Sequence, residues 1–315
     1  MPETPRDDRP DAPPAAGERG IASWAPADLA AVLLPAWDAF SELAAQVDLD
    51  APTRVTGWTA RDFCVHLGSW PDSPSLQRLL DEAERGDVTR TAAKTFDQDA
   101  HNETVIATHR AATRDEVLDA LRQARENAAD YLRSGIADRL GSATVRSVLG
   151  PLPLTAVVSA ASFELAVHAL DLAPAGAPPP PPHLLRAGLS ALVDVTGGLA
   201  ARCDIAAAVG TLAPEGGWAV TVRGDDWRTT PLSAALPHLA AVEGDAAILL
   251  DASAGRRSVP GLLARRELRL HHLGGLLALA PIVEAVPGLP GASALGGAAR
   301  HLLGATRVLR RIPGF

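Results

Sequence analysis

Five consecutive prolines at residues 178–182 constrain this chain more than any other feature. Proline fixes φ and has no backbone N–H, so neither a helix nor a central strand can run through such a stretch. Residues 174–183 therefore read as a stiff, extended linker. With 315 residues, the chain has room for a domain on each side, each with its own core. The pattern changes across the prolines, from helical periodicity before them to mixed helix and strand after them.

Before the linker, residues 24–173 read as an up-and-down helix bundle. Leu29, Val32, Leu33, Trp37, Phe40 and Leu43 recur at helical spacing, with Pro35 as a kink. Thr59 followed by Asp62 is an N-cap with an acidic first turn, so a second helix starts near Ala60 and carries Phe63, His66 and Leu67 on one side. A third helix is expected from Phe96 to His109, and a fourth from near Asp115 to Gly135. The last helix contains Phe163-Glu-Leu-Ala-Val-His-Ala-Leu-Asp171.

After the linker, residues 184–289 read as a smaller α+β domain. A helix over 184–202 precedes strands at 206–212 and 218–223, with a hairpin turn at Gly216-Gly217. A helix over 245–250, a short strand at 267–270 and a helix over 273–285 complete it. Residues 1–23 are Pro- and charge-rich and read as a disordered tail. Residues 290–315 form an extension ending in a basic helix, 301–311.

Composition excludes several functions. A formal net charge of −8 gives no global field for nucleic acid or anionic lipid. Cys64 and Cys203 form no CxxC unit and suggest a reducing compartment without disulfides. The tail lacks an apolar leader, and the apolar stretch at 273–289 is broken by Pro281 and Pro287. A cytoplasmic protein is expected.

Glu164 and His168 stand four residues apart, one turn along one helix face. On an exposed helix that is a stabilising pair worth a few tenths of a kcal/mol. Here the neighbours Phe163, Leu165, Ala166, Val167, Ala169 and Leu170 are apolar nearly all round, so the helix is expected to be buried, and a buried carboxylate needs a counter-charge or a metal. His66 is the third candidate ligand, because two imidazoles and a carboxylate with an open position describe a catalytic zinc site. Other pairs are weaker. Asp97 and His101 have polar neighbours and read as a surface pair; His271 and His272 point to opposite faces of a strand. His109, His183, His238 and His301 have no partner at ligand spacing, and Cys64 reads as a small core residue.

Trp58-Thr-Ala-Arg-Asp-Phe-Cys-Val-His66-Leu, Asn102 in a later helix, and Phe163-Glu164-Leu-Ala-Val-His168-Ala-Leu-Asp171 together resemble the mycothiol-dependent maleylpyruvate isomerase family. The resemblance implies a DinB-like four-helix bundle, a sterol-carrier-like second domain, and His66, Glu164 and His168 as ligands of a divalent metal, zinc first. It also implies mycothiol as the thiol, since the chain's own cysteines are poorly placed. Metal coordination deprotonates a thiol. In an isomerase the thiolate adds to a conjugated cis double bond, the new single bond rotates, and elimination releases the trans isomer; in an S-transferase it stays attached. The segment Ala247-Ile-Leu-Leu-Asp-Ala-Ser-Ala-Gly255-Arg256 is similar to the family's apolar helix ending in Gly-Arg, which makes Arg256 the clamp for a small anionic electrophile such as maleylpyruvate. Arg257 and Arg223 stand behind it, and Asp62 is a possible orienting acceptor for His66. His271-His-Leu-Gly274 departs from the family's Gly-Asp turn. The alternatives are a non-catalytic metal-binding regulatory or ligand-binding protein, and a metal-dependent hydrolase.

Overall fold

The structure is a computed structural model that describes residues 9–73, 75–89, 98–236 and 238–285. Helix α1 (Pro26–Ala44) starts with Pro at its first turn, runs through Pro35, and buries Leu29, Leu33, Trp37, Phe40 and Leu43. Helix α2 (Ala60–Leu67) is fixed by a reciprocal cap: Thr59 accepts from the Asp62 N–H, and Asp62 accepts from the Thr59 N–H. Next along the chain come helices α3 (Ser75–Arg85) and α4 (Gln98–His109), then α5 (Arg114–Arg133), capped by the same box between Thr113 and Glu116. Helix α3 is not among the elements expected from the sequence. Nor is the antiparallel hairpin of β1 (Thr144–Ser147) and β2 (Gly150–Pro153), which comes after the short α6 (Ile136–Leu140). Helix α7 (Leu154–Asp171) closes this half, packing on α1 and touching α2.

The prolines behave as their chemistry requires. The extended linker is shorter than the expected 174–183: Ala173–Ala175 form a 3₁₀ turn, residues 177–181 have no regular structure, and helix α8 (Pro182–Arg202) takes Pro182 as its first residue. Strands β3 (Ala207–Leu212) and β4 (Gly217–Arg223) form the expected hairpin, with Gly216 at φ +110° in the turn. Strands β5 (Asp226–Leu232) and β6 (Ala240–Glu243) come next, then α9 (Ala246–Ser253), α10 (Val259–Ala264) and β7 (Arg269–His271). The apolar stretch expected as one terminal helix is two short ones, α11 (Leu273–Leu277) and α12 (Ala280–Ala285). The sheet order is β5-β4-β3-β6-β7, and β3 and β6 run parallel while the other neighbours are antiparallel. The architecture is thus mostly helical with an α+β region.

The two sides of the proline run do not keep separate cores. Helix α8 lies against α7 on one side and β4 and β5 on the other, and buried residues of α1, α5, α7, α8 and β4 form one apolar cluster. A small satellite (Leu212, Ala219, Leu232, Leu239, Ala241) forms a second cluster in the sheet region. Helices α7 and α8 are long and apolar enough to cross a membrane, yet both are mostly buried inside the molecule. Their hydrophobicity serves this shared core.

Residues 9–23 differ from the expected disordered tail. Glu18 is buried and ion-paired to Arg228 at 2.9 Å, the Ile21 N–H donates to Asp194, and Arg19 bridges Trp227 of β5 in parallel. The segment covers the open edge of the sheet, where unpaired backbone groups would otherwise remain. Residues 1–8 and 286–315, including the expected helix over 301–311, lie outside the described residues.

Candidate metal centre

His66 sits in the last turn of α2, with its ring edge-on to Trp58 at 6.0 Å. Glu164 and His168 occupy successive turns of α7, and Phe63, one turn before His66, stacks on the His168 ring at 4.2 Å. The Glu164 carboxylate reaches both imidazoles: its Oε2 is 3.3 Å from His168 Nε2 and 3.9 Å from His66 Nε2. One donor atom from each of the three side chains lies within 4.8 Å of the others. Ligands around one tetrahedral zinc, at bonds of about 2.1 Å, stand roughly 3.4 Å apart. The donor set and its spacing fit a divalent cation.

Contrary to the expectation of a fully buried carboxylate, the Glu164 side chain is 47% exposed. It faces a cavity of about 370 Å³ lined by His66, Glu164 and residues of α1, α3, α4, α5 and the β1–β2 hairpin. The centre is therefore open on one side, as a reacting site requires.

Behind the centre the chain is closed. Asp171, fully buried, takes His168 Nδ1 at 3.2 Å, which leaves Nε2 turned toward Glu164. Two arginines hold Asp171 in turn: Arg54 Nε at 3.1 Å and Arg256 Nη2 at 3.0 Å. Arg54 also pairs with Asp251 of α9, so the network ties the loop before α2 to the second half. A carboxylate on the far nitrogen of a ligating histidine fixes its tautomer and raises its basicity.

The charges arise from these contacts. Desolvation opposes ionisation of Glu164, but the neighbouring His168 and His66 imidazoles outweigh it and hold the carboxyl below its ordinary range. Desolvation likewise disfavours a charged His168, yet Asp171 and Glu164 raise its pKa. Burial alone would raise Asp171, whereas His168 and Arg256 bring it down to about 2. A cation would displace the proton that His168 otherwise keeps between two carboxylates.

Several expected roles change. Arg256 is absent from the cavity lining; its guanidinium is committed to Asp171, because a fully buried carboxylate demands counter-charge. Arg257 pairs with Glu267, and Arg223 is exposed. Asp62 accepts from Thr59 and serves the cap, not His66. His101 lines the cavity, while Asp97, with which the sequence pairs it, lies outside the described residues. His271 pairs with Glu243 at 2.7 Å, and His109 stacks on Trp70. Burial pushes the Cys64 thiol up to about 12, which makes it an inert core residue. Sequence reasoning missed Asp171 as a partner, although its place three residues after His168 puts it on the same helix face. Nothing in the sequence pointed to Arg54 or Asp251.

A helical unit that turns two imidazoles and a carboxylate toward one point beside an open cavity is of the class that can gather a divalent cation from facing helices. Residues 33–173, a little under half of the chain, match the mycothiol maleylpyruvate isomerase N-terminal domain. Two solved structures are similar over 76% of this chain. One is the mycothiol-dependent maleylpyruvate isomerase (17% identity, 93% of that chain, TM-score 0.42). The other is a histidine-to-alanine mutant of a mycothiol-dependent maleylpyruvate isomerase (18% identity, 92% of that chain, TM-score 0.44). No curated protein matches the chain.

Proposed function

We propose that this protein is a metal- and thiol-dependent isomerase or S-transferase, with mycothiol as the thiol and a small anionic electrophile such as maleylpyruvate as the substrate. The observation that carries the reading is the convergence of His66, Glu164 and His168 at the wall of an open cavity. When bound there, zinc would supply a Lewis acid that keeps a small-molecule thiol in its nucleophilic thiolate form.

The chain's own residues have separable tasks. His66 and His168 offer neutral nitrogens and Glu164 one negative charge, so part of a dication's charge remains to attract a thiolate. Asp171, fixed by Arg54 and Arg256, keeps His168 Nε2 aimed at the site. Phe63 and Trp58 pack against the two rings and limit their rotation. Because Cys64 is buried and inert and neither it nor Cys203 lines the cavity, the reacting sulfur has to come from a small molecule. The reading assigns residues 24–173 to a DinB-like metal-binding bundle and 184–289 to a sterol-carrier-like unit, joined by the linker at 174–183. It also makes the protein cytoplasmic, where low-molecular-weight thiols stay reduced.

The test is metal analysis of the purified protein beside His168→Ala, then mass spectrometry of product formed with and without mycothiol. We expect about one zinc per chain, lost in the variant, and turnover that requires the thiol. A variant that retains its metal removes the site. Turnover without thiol assigns hydrolysis instead, and metal binding without any turnover assigns a regulatory or ligand-binding role.

A further inference from the structure

The anion clamp that Arg256 would have supplied must be sought elsewhere, and the cavity contains two candidates. Arg146 of β1 and Arg78 of α3 both line it, on the α3–hairpin side, together with His101 and Asn102 of α4. Among the described residues, Glu164 is the one carboxylate in the lining.

Arg146 is held ready for a ligand. Its backbone N–H donates to Glu82 Oε2 at 2.7 Å, and its Nη1 donates to Glu82 Oε1. The Glu82 side chain is 5% exposed, whereas that of Arg146 is 32% exposed, so the acid lies behind the base and the base faces open space. Nε and Nη2 of Arg146 have no acceptor among the described residues. A guanidinium carries five N–H donors in a fixed fork, and one is used here. Anchored from behind, the fork has little rotamer freedom left to lose on binding.

We propose that the α3–hairpin wall of this cavity is an anion subsite in which Arg146, together with Arg78, grips one carboxylate of a small dicarboxylate whose other end faces His66 and Glu164. The proposal deepens the thiol-dependent reading above and rests on it for the chemistry, but the subsite can be tested by itself. Both arginines come from elements that lie outside those expected from the sequence.

The probe is maleate, a small cis-dicarboxylate, with its uncharged diamide as control, titrated calorimetrically into full-length protein in zinc-loaded and metal-free forms. We expect maleate to bind at least tenfold tighter than the diamide. Arg146→Met should weaken maleate at least tenfold and leave the diamide and the zinc content unchanged; Arg146→Lys, which keeps charge but loses the fork, should fall between. Arg146→Met exposes the structure to an unpaired Glu82, so Glu82→Gln with Arg146→Met, and Arg78→Met alone, serve as further variants. Equal affinities for maleate and diamide, no binding of either, or unchanged maleate affinity in all arginine variants would overturn the subsite. Failure of the metal reading shows separately, as zinc absent from the wild-type protein or kept by His168→Ala. Arginine-dependent maleate binding to the metal-free form would then leave the subsite standing.

Discussion

Removing a carboxylate from water without partners costs several kcal/mol, and Asp171 avoids that by taking two guanidinium groups and an imidazole. The arrangement ties the ring orientation of His168 to residues far away in the chain. Asp171→Asn should preserve the shape but weaken the polarisation of His168, lowering zinc affinity about 10- to 100-fold, as changes to such outer partners do. Competition with a chromophoric chelator measures it, and an affinity within twofold of the wild type would show that Asp171 only neutralises the arginines. Much of this site was legible at the level of spacing. Glu164 and His168 at i and i+4 share a face whatever the fold, and Asp171 comes next on the same face. Arg54 and Asp251 were not legible: Arg54 reaches Asp171 from the loop before α2, and Asp251 meets Arg54 only once α9 has packed against α7. Arg256 shows the limit of motif reasoning: its position could be named, but its partner could not.

At the scale of elements, the close approach of α7 and α8 is what brings the second half up to the candidate metal centre. Gly188 makes it possible. A Cβ built there would lie 2.5 Å from the Ala166 Cβ and 3.3 Å from the Ser162 carbonyl oxygen. Exchanging a mid-helix glycine for alanine in open surroundings stabilises by about 1 kcal/mol. Gly188→Ala should do the opposite, destabilising by roughly 1–3 kcal/mol because α8 must move off α7. Urea unfolding of the purified variant reads the sign, and a stabilised variant would mean that the helices are not in this contact. Local signals explain which elements could be foreseen. Thr59 and Asp62 announced α2 because a cap is a short-range device. Strand β5 has Pro231 and the polar run Arg228-Thr-Thr230 in its interior and depends on pairing with β4 and on cover from residues 18–19, neither of which is a local property. Strand β6 begins with two alanines and owes its form to its place between β3 and β7. Helix α3 is the plain omission, since Leu76, Leu79, Leu80 and Ala83 stand at helical spacing.

Over the whole molecule, one buried acid joins three segments that are distant in sequence. Asp194 of α8 accepts at Oδ1 from the Ile21 N–H (2.9 Å), Trp227 Nε1 (3.0 Å) and Thr229 Oγ1 (2.7 Å), so the N-terminal segment, α8 and β5 meet on one oxygen. Its Oδ2 is buried without a hydrogen-bond partner. Burial raises the Asp194 pKa from an ordinary 3.8 to about 6, and the three donors only partly oppose that rise. The linkage has a definite sign. Well below pH 3.8 the group is protonated in both states and contributes no pH dependence. Between about 4 and 6 the unfolded chain gives up its proton while the native protein keeps it, so stability falls as pH rises. Above pH 6 the native carboxyl must ionise in place, and the accumulated cost is about 3 kcal/mol. Asp194→Asn retains an acceptor for the three donors and does not titrate. Its stability relative to the wild type should therefore rise between pH 4 and pH 7, by up to about 3 kcal/mol, in paired urea unfolding curves. A difference that stays flat over that interval would mean that Asp194 ionises as it does in water, and that the junction of the N-terminal segment with the sheet is wetter than its burial indicates.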